Sequence, residues 1–180
     1  MTTTRHPLPL TEVHGLLEPG PVVLLATARD GRPNAMTMSW HTMMEFEPPR
    51  VGCVLSERDY SHGSLLASGE CVIAIPTAEL AQAVVGCGNS SGRDTDKFAA
   101  FGLTAQPASL VAAPLIAECR TNLECRVADT TLVARYGFFV LEVVQAWDDP
   151  ARPAHPTLHH RGWGAFMLAG ATLQLPSKMR

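Results

Sequence analysis

The sequence predicts a mainly β protein, an antiparallel barrel with small helices inserted between its strands. Three observations lead there. Short runs rich in Val, Ile, Leu and Ala recur along the chain, at residues 21–28, 51–55, 71–75, 117–127 and 136–147, with turn residues between them. The first run is joined to the next by Asp30-Gly31, a pair that supplies the positive-φ turn of a hairpin. No long β-α-β alternation is present and no G-x-G-x-x-G follows a strand, which speaks against a parallel dinucleotide-binding sheet.

Taken in order, residues 1–20 contain Pro7, Pro9, Pro19 and Gly20 and read as an N-terminal arm with one turn of helix near residues 10–17. Residues 21–180 are expected to form one domain. After the Asp30-Gly31 turn a strand runs from Asn34, in which Met36, Met38 and Trp40 alternate with Thr37 and Ser39. That period of two gives one oily face and one hydroxyl-bearing face. The alternation stops after Trp40, and Pro48-Pro49 has no N–H to donate, so residues 41–49 read as a loop at a sheet edge or barrel rim. Residues 51–55 form the next strand, followed by a polar loop and a short helix near residues 64–68. Residues 71–75 are a buried strand closed by Pro76, and Thr77 is placed to cap a helix over about 79–85 that ends at Gly86-Cys87-Gly88. The polar stretch 89–98 passes into a second short helix that stops near Gly102. Residues 104–117, with Pro107 and Pro114, form an extended connector, and 117–127 and 136–147 are long strands about a turn at 129–131. A surface loop over 151–160, a last strand within 164–175 and a basic tail, Lys178-Met179-Arg180, complete the chain.

Size and charge bound the function. A chain of 180 residues suits one domain with a core that needs no disulfide or metal. A net charge of -3 with 17% charged residues gives no basic field, so nucleic acid and anionic membranes are poor partners. No apolar run reaches membrane-spanning length and none forms a leader at the N-terminus, so a cytoplasmic protein is expected. Five cysteines without a C-x-x-C pair argue against a disulfide framework or a zinc ribbon. Cys53, Cys71 and Cys125 read as core residues, whereas Cys87, between two glycines, is the thiol placed at a site. His155, His159 and His160 share a proline-broken loop without metal-ligand spacing.

Chemistry concentrates in three segments: residues 37–42, 56–62 and 87–97. Each offers Ser or Thr hydroxyls and backbone free of regular pairing, and they carry Arg58, Arg93 and Lys97. Hydroxyls, loop N–H groups and fixed cations are what a phosphate monoester needs. The competing reading makes residues 37–42 an ordinary half-buried strand and loop, and Asp94, Asp96 and Lys97 a solvated helix face with local ion pairs. His41 and His62 read as hydrogen-bonded surface histidines near these segments.

The motifs Asn34-x-Met36-Thr37-x-Ser39-Trp40, Phe46-x-Pro48-Pro49, Ser56 with Arg58 and Ser61, and Cys87-Gly88-x-x-Ser91-Gly92-Arg93-Asp94-x-Asp96-Lys97-Phe98 occur in one order. Together they resemble the flavin reductase-like proteins with an FMN-binding split barrel, in particular the flavoredoxin-like branch, over residues 20–147. The resemblance implies a six-stranded antiparallel split barrel that forms a homodimer with FMN at the interface, FAD being the larger alternative. It implies that Met36, Thr37, Met38, Ser39, Trp40, His41 and Thr42 lie along the isoalloxazine edge. Ser56, Arg58 and Ser61 would approach the ribityl chain and phosphate, and Cys87, Ser91, Gly92, Arg93 and Lys97 would complete the cradle. After Trp147 the likeness ends: members carry a Pro- and Gly-rich segment with an aromatic on the flavin, a region taken here by Gly164-Ala165-Phe166-Met167-Leu168. The implied activity is an NADH- or NADPH-dependent flavin reductase, with no protein group as catalyst and with a monooxygenase or electron-acceptor protein as partner. A non-enzymatic electron carrier and a split-barrel protein for another ligand, such as haem, stand beside it.

Overall fold

The computed structural model describes residues 4–176, so the basic tail at 178–180 lies outside the described residues. The N-terminal arm is built into the fold: β1 (His6–Leu8) pairs antiparallel with β10 (Phe138–Asp148), and α1 (Val13–Leu17) buries Val13 and Leu17 in the barrel interior. Next comes the expected hairpin of β2 (Val23–Arg29) and β3 (Arg32–Met38). Its turn residues Asp30 and Gly31 have φ of 51° and 74°, the conformation that an Asp-Gly pair adopts at low cost.

Beyond β3 the structure corrects the expectation of a loop. Residues 41–46 form β4 (His41–Phe46), which pairs with β5 (Pro49–Val54). The strand was hidden because it lies at the edge of the sheet, mostly exposed, so neither face carries a clear hydrophobic alternation. Pro49 is tolerated as the first residue of its strand, where a missing donor costs little.

α2 (Tyr60–Ser68) starts earlier than expected and ends at Gly69, with φ of 68°. β6 (Glu70–Ile75) follows, and then α3 (Ala81–Asn89), which runs through Gly86 and Gly88 rather than stopping at them. Gly86 answers to packing: a Cβ there would run into the Phe101 ring. α4 (Lys97–Ala100) begins under the Asp96 carboxylate, which accepts the Ala99 N–H at 3.1 Å. The connector holds only the small pair β7 (Ala105–Gln106) and β8 (Leu115–Ile116). β9 (Thr121–Asp129) and β10 are the two long strands expected, and α5 (Val133–Tyr136), a single unanticipated turn, joins them. The last strand is shorter than expected: β12 (Ala165–Leu168) pairs with β11 (Leu158–Gly162), which begins inside the stretch read as a loop.

The main sheet runs in the order β3-β2-β6-β9-β10-β5-β4, with β1 beside β10. The split-barrel class holds, but the path has seven strands instead of six because β4 is a strand. The terminal strands β3 and β4 are consecutive in sequence, separated only by Ser39 and Trp40, so the open sheet curls until its edges meet at that pair. Strand alternation divides the core. Val23 and Leu25 join Ile73, Leu123, Phe139 and Leu141 inside, whereas Leu24 and Ala26 join Val84, Phe98, Leu103 and Ile116 outside, under α3, α4 and the connector.

Glu124 pins that connector. Its fully buried carboxylate accepts from the Ser109 N–H (2.9 Å) and hydroxyl (3.0 Å), the Leu110 N–H (2.6 Å) and the Trp147 indole N–H (2.7 Å). The five cysteines are free and buried, and burial pushes the Cys53 thiol up to about 12. Among the described residues no helix is long and apolar enough to cross a membrane.

Candidate functional site

The split is flanked by two adjoining cavities. The larger, about 570 Å³, lies between residues 36–40, residues 54–59 and the α5 turn, residues 134–137. The smaller, about 300 Å³, is lined by Asn34, Met36 and Thr37, by residues 58–61, and by Cys87, Gly88, Ser90, Ser91, Gly92, Arg93 and Lys97. Met36, Thr37, Arg58 and Asp59 line both. Three segments far apart in sequence thus meet at one place.

Local structure fixes the polar groups there. Lys97 opens α4 and is only 4% exposed; its ammonium donates to the Cys87 carbonyl at 2.8 Å. Burial lowers its pKa, while Cys87 and Asp59 pull it back up. An ammonium has three protons to donate, so the single bond to Cys87 leaves capacity for a ligand. Asn34 donates from Nδ2 to the Ser61 hydroxyl at 2.8 Å, but its buried Oδ1 has no partner among the described residues. A buried acceptor left bare is costly, and a ligand hydroxyl would satisfy it. Gly92 is what permits the loop to come this close, since a Cβ there would meet the Asn34 carboxamide and the Tyr60 ring.

The other groups are braced within their own loops. The Ser56 hydroxyl accepts the Arg58 N–H at 3.2 Å, and the Asp59 carboxylate accepts the Ser56 N–H at 3.0 Å. The Ser91 hydroxyl accepts the Arg93 N–H at 3.2 Å. The Thr37 hydroxyl donates to the Val84 carbonyl, tying β3 to α3. Cys87 is a buried thiol whose pKa burial raises and Lys97 lowers, the net shift being upward, which keeps it protonated. One ammonium, two guanidiniums and several hydroxyls line this lobe, together with the Asp59 carboxylate.

Of the expected site residues, Met36, Thr37, Met38, Ser39, Trp40, Ser56 and Arg58 line the larger cavity, and Ser61, Cys87, Ser91, Gly92, Arg93 and Lys97 the smaller. His41 and Thr42 do not join them. They line a separate cavity of about 360 Å³ with Leu17, Glu18 and Gly20, a placement that follows from β4 being a strand. Burial lowers the His41 pKa, opposed by its bond from Nε2 to the Pro21 carbonyl at 2.7 Å. His62 is not a surface residue but is buried on α2, edge-on to Phe139 with ring centroids 5.3 Å apart.

Sequence reasoning missed Tyr60 and the whole α5 wall; the one signal for that wall was Gly137, a helix-ending glycine with φ of 64°. Phe166 lies beside Thr37 and Ser39 in a fourth recess of about 260 Å³ that also includes Gly88 and His160.

Comparison with known proteins agrees with the fold. A protein of Escherichia coli K12 described as uncharacterized, YddH, is 31% identical over 182 residues, covering 91% of this chain and 94% of its own. The crystal structure of an FMN-binding domain of a flavin reductases-like enzyme from Shewanella baltica OS155 superimposes with a TM-score of 0.90 at 25% identity, over 98% of this chain and 100% of that one. Flavoredoxin of Desulfovibrio vulgaris (Miyazaki F) shares the fold, with a TM-score of 0.79 at 24% identity over 87% and 90% of the two chains. The sequence model of the flavin reductase like domain matches residues 16–164, most of the chain, and the protein belongs to that family.

Proposed function

We propose that the chain binds FMN in the cleft where residues 34–40, 56–61 and 87–97 meet, and that it works as an NADH- or NADPH-dependent flavin reductase. The observation that carries this reading is the convergence of Lys97, Arg58, Arg93, Ser61 and Ser91 on one lobe that opens into a larger cavity beside Met36 and Trp40. A phosphate suits the first space and a flat ring the second.

In this reading Lys97, Arg58 and Arg93 hold the phosphate, the Ser61 hydroxyl donates to it, and the bare Asn34 Oδ1 accepts from a ribityl hydroxyl. Backbone from Thr37 to Trp40 and the side chains of Met36 and Trp40 flank the ring. When bound, the flavin supplies the reactive chemistry, accepting hydride from a reduced nicotinamide and passing electrons on. The protein orients the two rings and needs no general base of its own. Exposed Trp40, Met44 and Phe46 would offer a second copy of the chain an apolar face beside the cofactor. The electrons leave to a monooxygenase or another acceptor protein.

The test is reconstitution. Apoprotein incubated with FMN or FAD is desalted, its visible spectrum recorded, and the holoprotein mixed anaerobically with NADH or NADPH. Retention of the yellow band and its bleaching by either nucleotide is the expected result. A colourless protein removes the FMN assignment, whereas a yellow one that neither nucleotide bleaches is an electron carrier. Light scattering with and without FMN reads the dimer.

A further inference from the structure

Beside the residues that would flank the flavin ring, α5 and Gly137 also line the larger cavity. That wall is rigid. The Gly137 carbonyl accepts the Leu55 N–H at 2.9 Å, and a Cβ on Gly137 would run into the Leu55 carbonyl oxygen. Just before it, the Arg135 guanidinium lies over the Tyr136 ring, 5.0 Å from its centroid. Arg135 forms no salt bridge among the described residues. The guanidinium, exposed like the ring beneath it, thus stands at a cavity whose other guanidinium, Arg58, also lines the phosphate lobe. The acids facing the same space are otherwise placed: Asp59 is bonded to the Ser56 N–H, and Glu57 is exposed.

FMN carries one phosphate, which Lys97, Arg58 and Arg93 already surround. Arg135 lines the cavity that the flavin ring would share, and it is the lining guanidinium left without an anion. We propose that Arg135, steadied by Tyr136, recognises a phosphate of the second substrate, a pyridine dinucleotide, and so sets which nucleotide the site accepts. This rests on the FMN reading above. The planar guanidinium suits the task because it meets two phosphate oxygens at once.

The experiment measures binding rather than turnover. FMN-loaded protein is titrated calorimetrically with NAD⁺, NADP⁺, ADP and 2′,5′-ADP, none of which reduces flavin. Arg135→Ala is expected to raise the Kd for the recognised nucleotides about tenfold, with Arg135→Lys and Tyr136→Leu falling between it and the wild type. A loss shared by ADP and NAD⁺ assigns the contact to the diphosphate, and one confined to NADP⁺ and 2′,5′-ADP assigns it to the 2′-phosphate. FMN affinity, followed by flavin fluorescence, should stay within about twofold of the wild type. The proposal is overturned if nucleotide Kd values do not move, if the wild type binds none of these nucleotides, or if FMN affinity falls with them. Failure of the FMN reading shows separately, as a wild-type protein that takes up no flavin.

Discussion

Glu124 and Lys97 are both buried ionisable groups, and in both the pKa is shifted downward, yet the shifts mean opposite things. For Glu124, burial alone would raise the pKa, but the bonds from Ser109, Trp147 and Leu110 together outweigh it, so the charged form is favoured. For Lys97, burial is the largest influence and outweighs the upward pull of Cys87 and Asp59, with one carbonyl as its hydrogen-bond partner, so the charged form is disfavoured. Glu124 lies where the chain supplies every partner. Lys97 lies where the chain supplies too few, and that shortfall marks the cleft as a place built for something else.

The largest effect is expected on the Glu124 side. Glu124→Gln keeps the shape but gives up an acceptor and sets an NH₂ against inward-pointing N–H groups, costing about 2–4 kcal/mol. Thermal melting should fall by roughly 5–15 °C. The sign with pH is set by the lowered folded-state pKa: the folded protein holds its proton less than the unfolded chain, so the stabilisation is full above the ordinary value of 4.5 and is lost as pH falls through the depressed one. The gap in melting temperature between wild type and Glu124→Gln should therefore narrow in acid. A gap independent of pH would mean that the carboxylate's charge is not what holds the connector.

Lys97→Met should do the reverse. It removes a poorly compensated charge, so the apoprotein is expected to keep its melting temperature to within the equivalent of about 1 kcal/mol. FMN affinity should drop by about 1.5–3 kcal/mol, roughly tenfold to a hundredfold, through the lost charge-assisted contact. Equal damage to stability and to affinity would place Lys97 with Glu124 as a structural charge and erase the contrast. Because the folded-state pKa of Lys97 is lowered, apoprotein stability should rise with pH as the alkaline range approaches its ordinary value of 10.5, and Lys97→Met should abolish that rise.

The same contrast explains what the sequence made visible. The β2–β3 hairpin was legible because Asp30-Gly31 has a conformational reason to be there, and β6, β9 and β10 because buried strands repeat β-branched and apolar residues. The three polar segments stood out because each carries hydroxyls and two of them carry cations, and the structure brings residues of all three to adjoining cavities. β4 was not, since an exposed edge strand lacks a buried face to impose alternation, and with it went the placement of His41 and Thr42. Gly86 was misread as a helix end because composition does not distinguish a glycine that terminates a helix from one that makes room for Phe101. The α5 wall is set by a tertiary contact, Gly137 against Leu55, and the sequence signalled only that a glycine ends a turn there.

Gly92→Ala probes the cleft at smaller scale. The added methyl meets the Asn34 carboxamide and the Tyr60 ring, so the loop must back away. A cost of about 1–2 kcal/mol in stability is expected, with a larger proportional loss of FMN binding because Ser91 and Arg93 move with the loop. Gly88→Ala is the control, since its Cβ would meet only Thr37 at 3.5 Å, an ordinary contact. Matching effects from the two substitutions would show that the 90–93 loop does not depend on its close approach to Asn34.

Trp40→Ala tests the same contrast where stability has least to say. Trp40 is 72% exposed, and its carbonyl, which accepts the Val54 N–H at 3.0 Å, survives any side-chain change. Folding should therefore shift by no more than about 0.5 kcal/mol, as for a surface substitution. If the indole covers the flavin ring, FMN fluorescence in the holoprotein should rise and affinity fall several-fold while the melting curve stays in place. An indole that serves only to pack the split would give the opposite pattern, a lower melting temperature with flavin emission unchanged. Because the two outcomes move different observables, this substitution decides whether the exposed indole beyond β3 belongs with the saturated core or with the unfinished cleft.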